Sequence, residues 1–184
     1  MTSPTCPLCK SNANLFCEKP KHLFYKCNTC DGIFRPKDTF LTAEEEKEHY
    51  EKHNNDVFDE RYQAFVSPIV DAILHDFSPE AKGLDFGSGT GPVIAKMLTD
   101  KGFQVQNYDL FFANDVSLLN QKYDYVSCCE VMEHFHNPYQ EFELLKSLLL
   151  PKGKLYCKTA VYNHQKPFEI LRPDVNAVQA ETRK

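Results

Sequence analysis

The chain has 184 residues and a formal charge of −5, with 42% hydrophobic and 26% charged side chains, which fits one ordinary domain with a small module attached and excludes fibrous, collagenous and wholly disordered classes. Its longest aliphatic run, Leu148 to Leu150, is far short of the ~20 residues a membrane span needs, so no membrane partner is expected. Met1 to Pro7 is polar where a secretory signal would be basic and then apolar, which implies a cytoplasmic, reducing compartment where the eight cysteines serve metal or chemistry rather than disulfides.

The first forty residues carry six basic and three acidic side chains, an asymmetry compatible with an anionic partner but within ordinary surface variation. Here Cys6-Pro7-Leu8-Cys9 and Cys27-Asn28-Thr29-Cys30 form two CxxC pairs with seventeen residues between them. That spacing lets two knuckles offer four thiolates to one tetrahedral zinc. Leu15 to Glu18 and Leu23 to Lys26 are expected as short strands joined at Lys19-Pro20-Lys21, giving a zinc ribbon over 1–40. So short a module cannot bury a self-sufficient core, and structural zinc would carry much of its folding energy. Cys17, Cys128, Cys129 and Cys157 sit in apolar runs and read as small buried hydrophobes.

Residues 41–80 form a helical connector. Thr42-Ala43-Glu44-Glu45 is a capping box that opens a charged helix to about His53. A second helix runs from about Glu60 to Phe77, with Tyr62, Phe65, Val66, Ile69, Val70, Ile73 and Leu74 at helical spacing and Pro68 as an expected kink.

From Lys82 the pattern turns α/β. A strand Gly83 to Phe86 leads into Gly87-Ser88-Gly89-Thr90-Gly91, then a helix begun by Pro92 and closed by Gly102. Strands follow at Phe103 to Tyr108 and Tyr123 to Cys129, then a helix after Asn137-Pro138, a turn Pro151-Lys152-Gly153 and a strand Lys154 to Ala160. Alternation of this kind predicts a parallel sheet with its ligand at the carboxyl ends of the strands. Asp109 ends the strand after the loop, 24 residues beyond Asp85, where it can bond a ribose diol. The glycine spacing differs from the dinucleotide GxGxxG, which disfavours a NAD-dependent oxidoreductase, and no GKS or GKT triplet offers a phosphate cradle.

These residues resemble class I S-adenosylmethionine-dependent methyltransferases. LDFGSGTG is similar to their first motif, NYDL to the second-strand acid, YDYVSCCEVMEHF to the fourth-strand motif, and LLLPKGKLY to the turn before the fifth strand. EEEKEHYEKHNND, DERYQAFVSPIV and YDLFFAND extend the likeness to a bacterial subgroup with an N-terminal zinc ribbon. The resemblance implies a Rossmann-like, doubly wound α/β domain over 81–184. It also implies S-adenosylmethionine held by Asp85, Gly87, Ser88, Gly89, Gly91, Asp109, Leu110, Phe111 and Cys129. The acceptor would be an O or N nucleophile on a small molecule or RNA. Only Leu110 to Lys122 separates Asp109 from Tyr123, so the third strand should shrink to a short element near Asp115 to Leu119. After Phe168 the tail shows no strand pair; it reads as truncated or divergent, leaving the Lys154 to Ala160 edge open to a second copy. A donor-binding protein that has lost turnover is the alternative reading.

Glu130, Glu133 and His134 stand at i, i+3 and i+4 past the fourth strand, on one face if a helix begins there. They are the candidate catalytic residues. Two carboxylates and an imidazole suit Mg²⁺ or Mn²⁺, or His134 acts as a general base, or the group orders the donor loop. The ExxEH element is similar to one that holds a divalent ion in RNA 3′-terminal 2′-O-methyltransferases and quinone-precursor O-methyltransferases, with His164 or His136 as a further ligand here.

Overall fold

The computed structural model describes residues 4–20, 22–52, 55–162, 168 and 176–180. They fall into two units, Met1–Glu46 with Met132–Phe142 and Thr159–Lys184, and Lys47–Val131 with Glu143–Lys158.

The first unit is built on the ribbon. Strands β1 (Ala13–Lys19) and β2 (His22–Cys27) pair antiparallel with a register shift between Leu15 and Cys17, and β2 pairs with the two-residue β3 (Ile33–Phe34). The sheet continues into the carboxyl-terminal part of the chain. Strand β9 (Ala177–Ala180) lies antiparallel to β3, with Ile33 opposite Val178 and Phe34 opposite Ala177, and β8 (Val161–Tyr162) lies parallel to β9. The tail beyond Phe168 thus supplies one strand, given to the ribbon's sheet, and the parallel sheet ends at β7. Phe168 is central to the packing, its ring 5.1 Å from those of Phe16 and Phe24 and 5.2 Å from Tyr162, all edge-on. The ribbon therefore gains an aromatic core that forty residues alone could not assemble.

Helix α1 (Ala43–Glu51) opens on the expected capping box, the Thr42 N–H donating to Glu45 Oε2 at 2.8 Å and the Glu45 N–H to Thr42 Oγ1 at 3.3 Å.

In the second unit, α2 (Glu60–Asp76) starts at Asp59, whose side chain accepts the Arg61 N–H at 2.9 Å. Pro68 sits inside this helix and cannot donate to the Ala64 carbonyl; the Ser67 hydroxyl does so instead, at 3.0 Å. The buried stripe of Val66, Ile69, Val70 and Ile73 packs with Val93, Ile94, Leu98, Phe103 and Tyr125.

The sheet of this unit has four parallel strands, β4 (Lys82–Phe86), β5 (Gln104–Tyr108), β6 (Tyr123–Cys129) and β7 (Leu149–Lys158), in the order β5-β4-β6-β7. Helices α3 (Val93–Thr99) and α4 (Pro138–Ser147) follow β4 and β6 in sequence. With α2 they give a mixed α/β, Rossmann-like arrangement. A short 3-10 turn at Val116–Asn120 replaces the third strand, as the spacing requires. Pro151-Lys152-Gly153 is not a turn ahead of the last strand but a bulge inside it. Tyr123 faces Leu149 and Tyr125 faces Lys154, so two steps on β6 span five on β7, with Lys152 at φ 70°.

Candidate active site and metal cluster

Strands β4 and β5 end side by side, with Asp85 opposite Asn107 and Phe86 opposite Tyr108. The chain then makes a tight loop. Gly87 and Gly89 have φ of 76° and 64°, a region closed to most side chains, and a methyl group on Gly87 would lie 2.3 Å from Val131. The N–H groups of Gly87 and Ser88 both donate to the Tyr108 carbonyl, at 2.8 and 3.2 Å, which pins the loop to the end of β5.

Asp109 completes the clasp. Its Oδ2 accepts the Gly89 N–H at 2.9 Å, and its Oδ1 accepts those of Phe111 and Phe112 at 2.9 and 3.1 Å. A carboxylate has about four lone-pair sites, so one remains for a ligand donor. Sequence spacing predicts a ribose contact for Asp109; the structure adds that the same carboxylate holds the glycine loop in shape.

Asp85 is buried beneath the loop and accepts the Ser127 hydroxyl at 2.7 Å. Burial pushes its carboxyl up to about 6, against the opposing pull of Ser127. Leu110 is exposed, while Phe111 is half-buried with its ring 5.9 Å from Tyr50. Cys129 packs partly buried against the core of the unit.

Three contributors were not read from the sequence. Ser127 had no signal beyond its place on β6. Tyr62 looked like one more residue of an apolar helix face, yet burial pushes its hydroxyl up to about 12, with Cys129, Asp85 and Glu130 adding in the same direction. Asn55 lies just past the expected end of the first connector helix; its carbonyl oxygen would sit 1.7 Å from a methyl group on Gly91, so Gly91 is kept bare by the chain itself.

The structure does not build the expected helix under Glu130, Glu133 and His134. Glu130 takes a left-handed conformation, φ 55°, with its N–H donating to the Lys158 carbonyl at 2.7 Å. Met132–His134 is a single 3-10 turn, and α4 starts only at Pro138. The i, i+3, i+4 face therefore does not exist as such. Glu133 and His134 are both largely buried, with His134 Nε2 4.0 Å from Glu133 Oε1. Of the proposed further ligands, His136 is engaged by Glu46 at 2.7 Å, and His164 lies outside the described residues. Asn176 holds the turn: its N–H donates to the Glu133 carbonyl at 2.8 Å and its Nδ2 to the His134 carbonyl at 2.9 Å.

Among the described residues, the cluster of three or more metal-type ligands is Cys6, Cys9, Cys27 and Cys30, whose Sγ atoms all lie within 4.8 Å of one another. Mg²⁺ or Mn²⁺ at the glutamate–histidine segment gains no support. Cys6 and Cys30 are 3.7 Å apart at sulfur, and Cys9 and Cys27 3.4 Å, close to the ~3.8 Å edge of a tetrahedron with 2.3 Å zinc–sulfur bonds. The residue after each CxxC, Lys10 and Asp31, is left-handed, with φ of 64° and 58°. Both knuckles thus turn alike and aim their sulfurs inward. Burial pushes the Cys6 and Cys30 thiols up, while hydrogen bonds from Ser11 bring Cys9 down to about 6. Four such sulfurs ionise together only around a cation, so the donor set fits a soft, tetrahedral metal ion.

No curated protein matches the chain. A scan against known families matches a methyltransferase domain over residues 58–177, more than half of the sequence. That span contains α2, the glycine loop, Asp109 and all four parallel strands. With a Rossmann-like sheet that carries an acid-led glycine loop clasped by the next strand's aspartate, the chain belongs to the class I S-adenosylmethionine-dependent methyltransferase family, with a four-cysteine ribbon at its amino-terminal end.

Proposed function

We propose that the chain takes a methyl group from S-adenosylmethionine and delivers it to an oxygen or nitrogen acceptor, with Zn²⁺ held structurally by Cys6, Cys9, Cys27 and Cys30. The observation that carries this reading is the clasp of Gly89 by Asp109 at the carboxyl ends of β4 and β5. Bound there, the donor supplies a methyl group on a sulfonium centre. Asp109 takes the ribose with its remaining lone pair, Leu110 and Phe111 flank the adenine, and Asp85 balances the donor's ammonium. Gly87, Ser88, Gly89 and Gly91 let the backbone approach the methionine portion, and Cys129 borders it.

By its place in the chain directly after β6, His134 is assigned as the proton acceptor for a weakly nucleophilic acceptor, with Glu133 beside it. Glu130, strained at the end of the strand, orders the loop. We place the protein in the cytoplasm, where reducing conditions suit a four-cysteine metal cluster such as Cys6, Cys9, Cys27 and Cys30.

Calorimetric titration with S-adenosylhomocysteine beside NADH tests the donor. Binding of the first alone is the expected result; binding of NADH alone, or of neither, would overturn the reading. Transfer of label from the donor into fractionated cell extract then identifies the acceptor.

A further inference from the structure

The segment ahead of α2 comes close to the glycine loop. Asn55 sets its carbonyl against Gly91, and its Nδ2 would lie 3.2 Å from a methyl group on Gly89, the glycine that Asp109 clasps. The turn that follows Asn55 is tied down. The Phe58 N–H donates to Asp56 Oδ1 at 2.9 Å and the Asp59 N–H to the Asp56 carbonyl at 3.0 Å. Gln63 on α2 donates to the Val57 carbonyl at 2.7 Å, and Val57 packs on the core of the unit. A carboxamide is thus presented over the loop by a turn that is itself tied down.

The charge balance of the site says what such a group is for. The donor's amino-acid end is a zwitterion, and the carboxylates of Asp85 and Asp109 at the loop suit only its positive half. Its negative half needs an N–H donor that carries no negative charge. We propose that Asn55 reads the amino-acid end of the donor, its Nδ2–H donating to the donor's α-carboxylate over Gly89. The inference rests on the donor reading above and adds a recognition residue from outside the glycine motif. It also gives Gly91 a second purpose: the bare α-carbon admits the Asn55 backbone and so sets the height of the carboxamide.

Two probes isolate the interaction. S-adenosylhomocysteine carries the amino-acid end, and 5′-methylthioadenosine has the same nucleoside and thioether without it. Titration of the full chain should show Asn55→Ala weakening the first by about tenfold while leaving the second within about twofold. Asn55→Asp has the same shape, serves if the alanine variant fails to fold, and should weaken S-adenosylhomocysteine at least as much, because it places a third carboxylate against the ligand's own. Equal losses for both probes would show that Asn55 only shapes the loop, and unchanged affinity for both would show that it does not reach the ligand; either result overturns the proposal. Failure of the wild-type chain to bind either probe would instead remove the donor reading, and this inference with it.

Discussion

At the scale of single residues, Asp85 is a carboxylate buried to 4% exposure. Its pKa, pushed up to about 6 by burial, lies above the ~3.9 of an unfolded aspartate. The folded chain therefore holds this proton more tightly than the unfolded one. Its contribution to stability is greatest below the unfolded value and is lost as pH rises through about 6. On the proposed donor reading, binding runs the other way, since an ammonium beside Asp85 would favour the ionised form. Affinity for S-adenosylhomocysteine should consequently fall by about tenfold from pH ~7.5 to pH ~5, with proton release on binding near pH 6. Calorimetry in buffers of different ionisation enthalpy measures both, and Asp85→Asn should flatten the profile. A wild-type profile without this slope would mean that Asp85 is not coupled to the ligand. The positions of Asp85 and Asp109 were legible in the sequence because strand ends and glycines are local features. Asn55 was not, because its contact with Gly91 crosses 36 residues and nothing in its own neighbourhood signals it.

At the scale of elements, β4 and β6 meet through one unusual pair. Gly83 lies opposite Tyr125, and a methyl group on Gly83 would fall 2.1 Å from the tyrosine ring. That ring is fully buried, with Phe77 and Phe103 at 5.4 and 6.4 Å, so it has nowhere to retreat. Its hydroxyl is buried without a hydrogen-bond partner among the described residues. Gly83→Ala should therefore cost about 1–3 kcal/mol by overpacking. Tyr125→Phe should be neutral or stabilising by about 1 kcal/mol, since it removes an unsatisfied polar atom. Urea denaturation of the two variants checks the pair, and a strongly destabilised Tyr125→Phe would point to a partner for the hydroxyl. The strands themselves were readable from alternation and punctuation; β6 begins and ends where its sequence pattern does. What misled was the proline–glycine signal in β7. Pro151-Lys152-Gly153 has turn chemistry, but Leu149 is already paired with Tyr123, and the sheet absorbs the extra residues as a bulge. Similarly, the ExxEH spacing fits one helical face, yet the left-handed Glu130 stops a helix from starting there.

At the scale of the whole molecule, the chain returns to its beginning. Strand β9 adds to the ribbon through β3, a pairing across more than 140 residues that no local pattern could disclose. Immediately before β9, Asn176 does three things: its carbonyl accepts the Arg35 N–H at 3.0 Å, and its own N–H and Nδ2 hold the carbonyls of Glu133 and His134. Arg35 and Asn176 are both buried, at 2% and 1% exposure, so these bonds form away from competing water. A metal held by the four cysteines would fix the ribbon, which carries β3, and β3 with Arg35 holds the segment that grips the Glu133–His134 turn. The glycine loop and Asp109 belong to the other unit. Chelation of the metal, or Cys27→Ser, should therefore raise hydrogen exchange in two places at once, the ribbon strands and residues 132–136, while S-adenosylhomocysteine affinity stays within about twofold. Asn176→Ala should reproduce the second effect without the first, because it removes the side-chain hold on His134 and leaves the cysteines untouched. Exchange that rises only in the ribbon after chelation would show that the turn keeps its own shape, and the metal would then be a fold-stabilising ion with no reach toward His134.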